Sequence, residues 1–230
     1  MPGARQSAKF AAIDWGRLIV ALAILAAVIG QLAVSIGFWT NRGDERIGLD
    51  ILNFFSFFTI ESNLLAMVVL LAQAIGRARG RAGCRALHVA VLCATTYMVI
   101  TGIVYNTVLR SIELPQGTTL GWSNEMLHLI APLWMLIDWL LTARTRELRF
   151  AHIGMVVIYP VVWLVYTLMR GPATLNQGTG AGQWYPYPFL DPAHAGGYGA
   201  VAVACVLVAV AIVAVSAGLV AISRWARRRS

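Results

Sequence analysis

The sequence predicts an all-α, polytopic membrane protein: six transmembrane helices in one domain spanning 1–230. Three observations carry the prediction. Of the 230 residues, 59% are hydrophobic and 12% charged, against about 45–50% and about 25% in soluble domains. Six segments, about 11–38, 51–75, 86–109, 124–142, 150–169 and 197–222, approach or exceed the roughly 20 mainly apolar residues that a spanning helix needs. Basic residues also alternate from one connection to the next. Runs such as AVAVACVLVAVAIVAVSAGLVAI are too long and uniform for the alternating strands of a barrel.

The first segment has a longer apolar core than a signal peptide and no clear small-residue cleavage site, so it reads as a retained span. Asp14 and Arg17 near its start are expected to meet each other or reach the headgroups. Of the 18 basic residues, 14 fall on alternate connections: Arg5, Lys9 and Arg17; Arg77, Arg79, Arg81 and Arg85; Arg144, Arg146 and Arg149; and Arg224, Arg227, Arg228 and Arg229. The other side holds Arg42, Arg46, Arg110 and Arg170. The positive-inside rule then puts both termini of this multi-pass protein in the cytoplasm. The net charge of +8 is absorbed by these clusters, and no nucleic-acid motif accompanies them. Cys84, Cys93 and Cys205 show no metal-type spacing and read as structural or incidental.

The second span carries Ser56, Thr59, Glu61 and Asn63 inside its apolar length. Polar groups in hydrocarbon need partners, and an ionisable one marks a functional site by default. Ser56, Thr59 and Asn63 at i, i+3 and i+7 share a helical face. Glu61 points elsewhere, with Arg170 or Arg110 as expected partners. The fourth span brings Asn124, Glu125 and His128, with Asp138 nearer the opposite end and expected to meet a neighbouring helix or basic loop. At about 1.5 Å per residue, Thr59 lies roughly 12 Å from an outer end at Ile51, and His128 roughly 6–9 Å from its own. Thr101, Tyr105 and Asn106 close the third span. Tyr159, Trp163, Tyr166 and Arg170 form a stripe on the fifth that reads as packing and interfacial anchoring. The outer connections are 39–50, 110–123 and 170–196. In the last, WYPYPFLD gathers Trp184, Tyr187 and Asp191 on a proline-stiffened path, either a lid over a cavity or a packed interfacial loop.

A threonine becomes a nucleophile when a base takes its proton, and histidine suits that role near neutral pH. Asn63, Asn106, Asn124 or a tyrosine hydroxyl could supply oxyanion donors, and apolar helices would hold an acyl chain. The same residues also fit plain packing, since an intramembrane Thr commonly bonds its own helix. Three stretches carry a resemblance: FFTIESNLL at 57–65, NEMLHLIAPLWMLIDWLL at 124–141 and WYPYPFLD at 184–191. In order and separation they resemble the androgen-induced and androgen-dependent regulator family of integral membrane hydrolases, and its prokaryotic Pr6Pr branch. The resemblance implies an intramembrane threonine hydrolase of lipid esters. The animal members cleave fatty-acid esters of hydroxy fatty acids with one Thr and one His, which match Thr59 and His128. The FTIESN form looks bacterial, so the ester need not be the animal one.

The resemblance implies no cofactor, and a membrane lipid or acyl ester as partner; the sequence leaves a homo-oligomer open. Three rivals stand beside this reading. A metal hydrolase would draw on His128, His194 and Asp191 or Glu125, without an HExxH motif. A haem site would need His88 and His152. A lipid-binding protein or small transporter would line a passage with the same polar groups.

Overall fold

The computed structural model describes residues 4–80, 83–112 and 117–229, with residues 4–10 as backbone only. Arg81 lies outside the described residues, as do the side chains of Arg5 and Lys9 and residues 113–116 of the 110–123 connection. Among the described residues the chain is helical, without a strand. The helices are α1 (Ala4–Arg42), α2 (Ile47–Phe55), α3 (Phe58–Ala78), α4 (Arg85–Val104), α5 (Gly121–Glu125), α6 (Ala131–Thr142), α7 (Ile153–Arg170), α8 (Pro192–Ala195) and α9 (Tyr198–Arg228). A π-helical turn, Tyr105–Leu109, extends α4, and a second, Met126–Ile130, joins α5 to α6. Six helical stretches are long and apolar enough to cross a membrane: Ala11–Arg42, Phe58–Ala78, Arg85–Leu109, Gly121–Thr145, Phe150–Ala173 and Tyr198–Arg228.

α4 is the centre of the bundle, packed against α3, α6, α7 and α9, while α1 covers α3 from the other side. Its Leu92, Ala94 and Met98 are wholly buried. α7 and α9 are peripheral, and Val161, Val165, Val206 and Leu207 on them stay exposed. An apolar surface of that kind is what lipid tails solvate. Close approach of α1 to α6 depends on Gly16, where an added methyl would sit 2.1 Å from the Trp134 ring.

At one end of the bundle Asp138 accepts from Arg17 Nε at 2.9 Å and from Arg146 Nη2 at 3.1 Å. Arg17 also bonds Asp14 at 2.7 Å. Asp138 thus meets both a neighbouring helix and a basic loop, and Asp14 meets Arg17. Arg17 and Asp138 are each about 1% exposed. Buried charges persist only when paired and hydrogen-bonded, which this group achieves for every carboxylate oxygen of Asp138.

The expected second span, 51–75, is not one helix. α2 ends at Phe55, Phe57 is extended at φ −71°, ψ 126°, and α3 starts at Phe58. No Gly or Pro causes the break. Ser56 Oγ donates to Leu52 O at 2.7 Å and lies 3.0 Å from the Tyr166 hydroxyl, while Ser56 O accepts from Trp163 Nε1 at 3.1 Å. The indole thus takes a carbonyl that a continuous helix would have used itself. Ser56 and Thr59 therefore do not share one helical face, and a rise counted from Ile51 does not measure the depth of Thr59. The rest of the α7 stripe docks in antiparallel order: Tyr159 donates to Glu61 Oε2 at 2.5 Å, and Arg170 Nη2 to Asn53 Oδ1 at 2.7 Å. The partner of Glu61 is a phenol, not Arg170 or Arg110.

Candidate active site

The break in the chain sets Thr59 in the first turn of α3, where helix amides lack intrahelical acceptors. One of these, the Thr59 N–H, donates to the Tyr187 hydroxyl at 3.1 Å, and Thr59 Oγ1 lies 3.3 Å from the same oxygen. Burial pushes the Tyr187 phenol up to about 12, so it remains a neutral donor. With its oxygen occupied by the amide, its hydrogen is free to reach Thr59 Oγ1. Ser62 Oγ and Asn63 Nδ2 both donate to Thr59 O, at 3.1 and 2.9 Å, which fixes the turn.

His128 sits at the middle of the π-helical turn Met126–Ile130. Its Nδ1 is 3.0 Å from Asn124 O. A carbonyl only accepts, so Nδ1 carries the proton and Nε2 keeps the lone pair. Among the described residues Nε2 has no hydrogen-bond partner. The ring stacks on Tyr105 with centroids 3.7 Å apart and planes 21° apart. The Tyr105 hydroxyl accepts from Asn124 Nδ2 at 2.6 Å. Both members of this stack are carried by π-helical turns, a device that recurs where helices carry functional side chains.

Asn63 and Asn106 stitch these turns together. Asn63 Nδ2 also donates to Leu127 O at 3.1 Å, and Asn106 Nδ2 to Gly102 O at 2.8 Å and His128 O at 3.0 Å. Each amide nitrogen has two hydrogens, and both are used. Neither residue retains the free donor expected of an oxyanion hole. Asn124 does, because only one of its amide hydrogens is engaged, with Tyr105.

Thr59 and His128 line one small cavity of about 40 Å³ with Asn124, Gln31 and Ser123. That volume admits one or a few waters, or a small reacting group. Among the described residues no hydrogen bond joins Thr59 directly to His128. Thr59 also lines a second cavity of about 150 Å³, almost wholly apolar, bounded by Val104, Tyr105, Trp163, Tyr187, Phe189 and Ile212. Among the described residues Thr59 is shared by the apolar cavity and the small one, whose lining mixes His128, Asn124 and Gln31 with Phe54, Phe57 and Leu127.

No family model matches the chain, and no curated protein or solved structure matches it significantly.

The remaining expected residues lie further out. Glu125 does not turn to His128; both its oxygens accept from Arg110, at 2.8 and 2.9 Å. Arg110 also donates to Asn106 Oδ1 at 2.9 Å and lies over Tyr105, its Cζ 5.6 Å from the ring centre. Ser56 and Tyr166 bond each other at the α2–α3 break and line neither cavity. Trp184 packs edge-on against Phe57 at 5.8 Å beneath Arg170. Asp191 caps α8 through Ala193 N at 2.9 Å and bonds His194 Nδ1 at 2.8 Å and Gln183 at 2.9 Å. It therefore holds the loop in shape, away from Thr59. The 184–191 segment is a packed wall: Trp184, Tyr185, Tyr187 and Leu190 are buried, and Tyr187, Phe189 and Leu190 face the apolar cavity.

Among the described residues no three His, Cys, Asp or Glu side chains converge, so His128, His194, Asp191 and Glu125 do not form one ligand set. His88 and His152 each receive a backbone N–H on Nδ1, from Glu147 at 3.4 Å and Arg149 at 3.1 Å. The sequence placed Tyr105 only among the polar groups that close the third span, and Gln31 and Ser123 were missed as parts of the site. Only Tyr105 had a signal, its place beside Asn106 at the end of the third span.

Proposed function

We propose that the protein is an intramembrane hydrolase of lipid esters, with Thr59 as nucleophile and His128 as general base. The observation that carries this reading is the position of Thr59 on both cavities. An acyl chain in the apolar cavity would bring its ester carbonyl to the threonine, beside the small cavity that holds His128. The resemblance to the androgen-induced and androgen-dependent regulator hydrolases, in which a Thr and a His act together, supports the same assignment. The distribution of arginines supports both termini inside, and the resemblance to the prokaryotic Pr6Pr branch supports a bacterial cytoplasmic membrane.

Thr59 Oγ1 attacks the ester carbonyl carbon while its proton passes to His128 Nε2, directly or through a water in the small cavity. The carbonyl oxygen becomes an oxyanion, for which Asn124 Nδ2 and the Tyr187 hydroxyl are the available donors. Collapse breaks the bond to the alcohol, which leaves with the proton from His128, and the acyl group stays on Thr59. Water then attacks the acyl-threonine, giving its proton to His128, and the fatty acid departs as Thr59 recovers its hydrogen. The α5 carbonyl of Asn124 holds the imidazole in the tautomer this sequence requires.

The test is turnover of a fatty-acid ester of a hydroxy fatty acid by purified full-length protein in detergent. Thr59→Ala and His128→Ala should each abolish it with folding intact, and a chelator should leave it unchanged. Full activity in Thr59→Ala would overturn the assignment. The apolar cavity equally suits a lipid-binding protein. Recovery of stoichiometric bound lipid without product formation would favour that second reading.

A further inference from the structure

The end of the bundle opposite Thr59 holds a different cavity, about 530 Å³, whose walls are polar. Gln73 and Arg77 of α3 reach it, which at about 1.5 Å per residue lies roughly 21–27 Å along the helix from Thr59. Arg17, Arg77, Arg85 and Arg146 line it, with Glu147 as the one carboxylate on the wall. Asp14 and Asp138 lie behind and are committed: Asp138 to Arg17 and Arg146, and Asp14 to Arg17 and Arg77. Glu147 is engaged by Arg227 at 3.2 Å.

Two features on this wall are unspent. Arg85 has no carboxylate partner among the described residues; its Nε and Nη2 lie 3.2 and 3.0 Å from His152 Nε2. Arg146, 2% exposed, leaves its Nε hydrogen without an acceptor, and Gln73, which accepts from Arg146 Nη1 at 3.2 Å, leaves its amide nitrogen unpartnered. Buried donors without acceptors are costly. Both residues line the cavity with other atoms, while the two idle nitrogens are enclosed within its wall. The accessible guanidinium groups on the positive wall are those of Arg85 and Arg77.

We propose that this cavity binds the oxyanion of a phosphate group, through the guanidinium groups of Arg85 and Arg77, with the buried Arg17 and Arg146 adding positive charge behind them. Planar guanidinium groups in a cluster match tetrahedral phosphate oxygens, and several fixed donors distinguish a site from a diffuse positive surface. Two sources supply that chemistry, the headgroup of an anionic phospholipid and a soluble phosphate. Basic pockets between helices on the arginine-rich side of a membrane protein suit the first. The site is independent of the ester hydrolase reading and stands or falls without it.

The test uses full-length protein in detergent. Native mass spectrometry follows titration with phosphatidylglycerol and with diacylglycerol as the phosphate-free control. Calorimetry follows inorganic phosphate at constant ionic strength. At least one phosphate-bearing probe should bind with one copy per chain, diacylglycerol should not, and Arg85→Gln should weaken binding about tenfold, the loss of a charge-assisted hydrogen bond. Arg77→Gln, a second lining residue, should weaken it in the same direction. Arg228→Gln, a basic residue of the exposed tail, should leave it unchanged. Binding of phosphatidylglycerol alone assigns the site to a lipid headgroup, and binding of inorganic phosphate assigns it to a soluble ligand. Failure of both probes to bind one per chain, or equal weakening by Arg85→Gln and Arg228→Gln, would overturn the site.

Discussion

The two polar centres of this bundle, around Thr59 and His128 at one end and around Asp138 at the other, differ in how their hydrogen-bonding capacity is used. Around Thr59 the groups in direct contact are neutral: a hydroxyl, a phenol, an imidazole and three amides, with one charged pair, Arg110–Glu125, on the outside. The amide hydrogens of Asn63 and Asn106 are all engaged, although Asn63 Oδ1 has no partner among the described residues, while His128 Nε2 and one hydrogen of Asn124 are left over beside a cavity. Around Asp138 the groups are charged and both carboxylate oxygens are paired, with Arg17, Arg146 and Asp138 nearly inaccessible. The difference teaches that burial of polar groups serves two ends here. One centre keeps reactive valences open, and the other uses ion pairs to fix helix against helix.

The largest effects should come from the open valences. Removing the nucleophile or the base in Thr59→Ala or His128→Ala should lower kcat by at least about 10²–10⁴-fold. Thermal stability should change little, because neither side-chain polar atom holds two helices together. A large fall in stability instead of activity would reverse the comparison and make the outer centre structural.

Next in size is the inner centre. Asp138→Ala leaves Arg17 and Arg146 buried without their shared carboxylate and should cost about 3–5 kcal/mol of stability, the range for breaking a buried pair. Unfolding in a detergent titration reads this directly. Turnover per folded molecule should stay near the parent value, since Asp138 lies ten residues, about 15 Å, along its rod from His128. A loss of kcat without a loss of stability would join the two centres into one functional network.

The two asparagines around His128 sharpen the distinction within the outer centre. Asn124→Ala removes the remaining free amide donor and should lower kcat on the order of 10-fold to 10²-fold, with KM little changed, as for an oxyanion donor. Asn63→Ala removes two bonds to main-chain carbonyls, of which the one to Leu127 O ties α3 to the π-turn, and should cost about 1–3 kcal/mol of stability. If both variants behaved alike, the division into spare and saturated donors would fail.

Hydropathy and arginine spacing made the six helices legible, because the cost of exposing backbone in lipid leaves few other solutions. The Thr59–His128 pairing on one cavity was legible as a coincidence of polar residues in two spans. The break at Ser56–Phe57 was not, since FFSFF carries no helix-breaking residue and the interruption comes from Trp163 and Tyr166 on a distant helix. The same antiparallel docking explains the misreading of Glu61. Charge complementarity pointed to an arginine, whereas the α7 stripe sets Tyr159 opposite Glu61 and carries Arg170 beyond it to Asn53. The π-helical turns left no trace in the hydrophobic pattern, because each widens a single turn of a longer helix by one residue.

The smallest expected effect tests the border of the outer centre. Glu125 is three residues before His128 and on the same rod, so sequence spacing alone made it a natural orienting group for the imidazole. Both its oxygens are instead taken by Arg110, on a pair that is nearly half exposed on each side. Water and salt weaken such a pair, and the imidazole is already oriented by the Asn124 carbonyl and the Tyr105 ring. Glu125→Gln should therefore keep kcat within about threefold of the parent, as exposed ion pairs contribute little. Its slight loss of thermal stability should disappear in high salt, which screens the parent pair as well. Arg110→Gln should behave alike in salt but lose somewhat more activity, because it also gives up the bond to Asn106 Oδ1 and the contact over Tyr105. A kcat collapse in Glu125→Gln comparable with His128→Ala would move the carboxylate into the reacting centre and end the contrast between a neutral core and a charged rim.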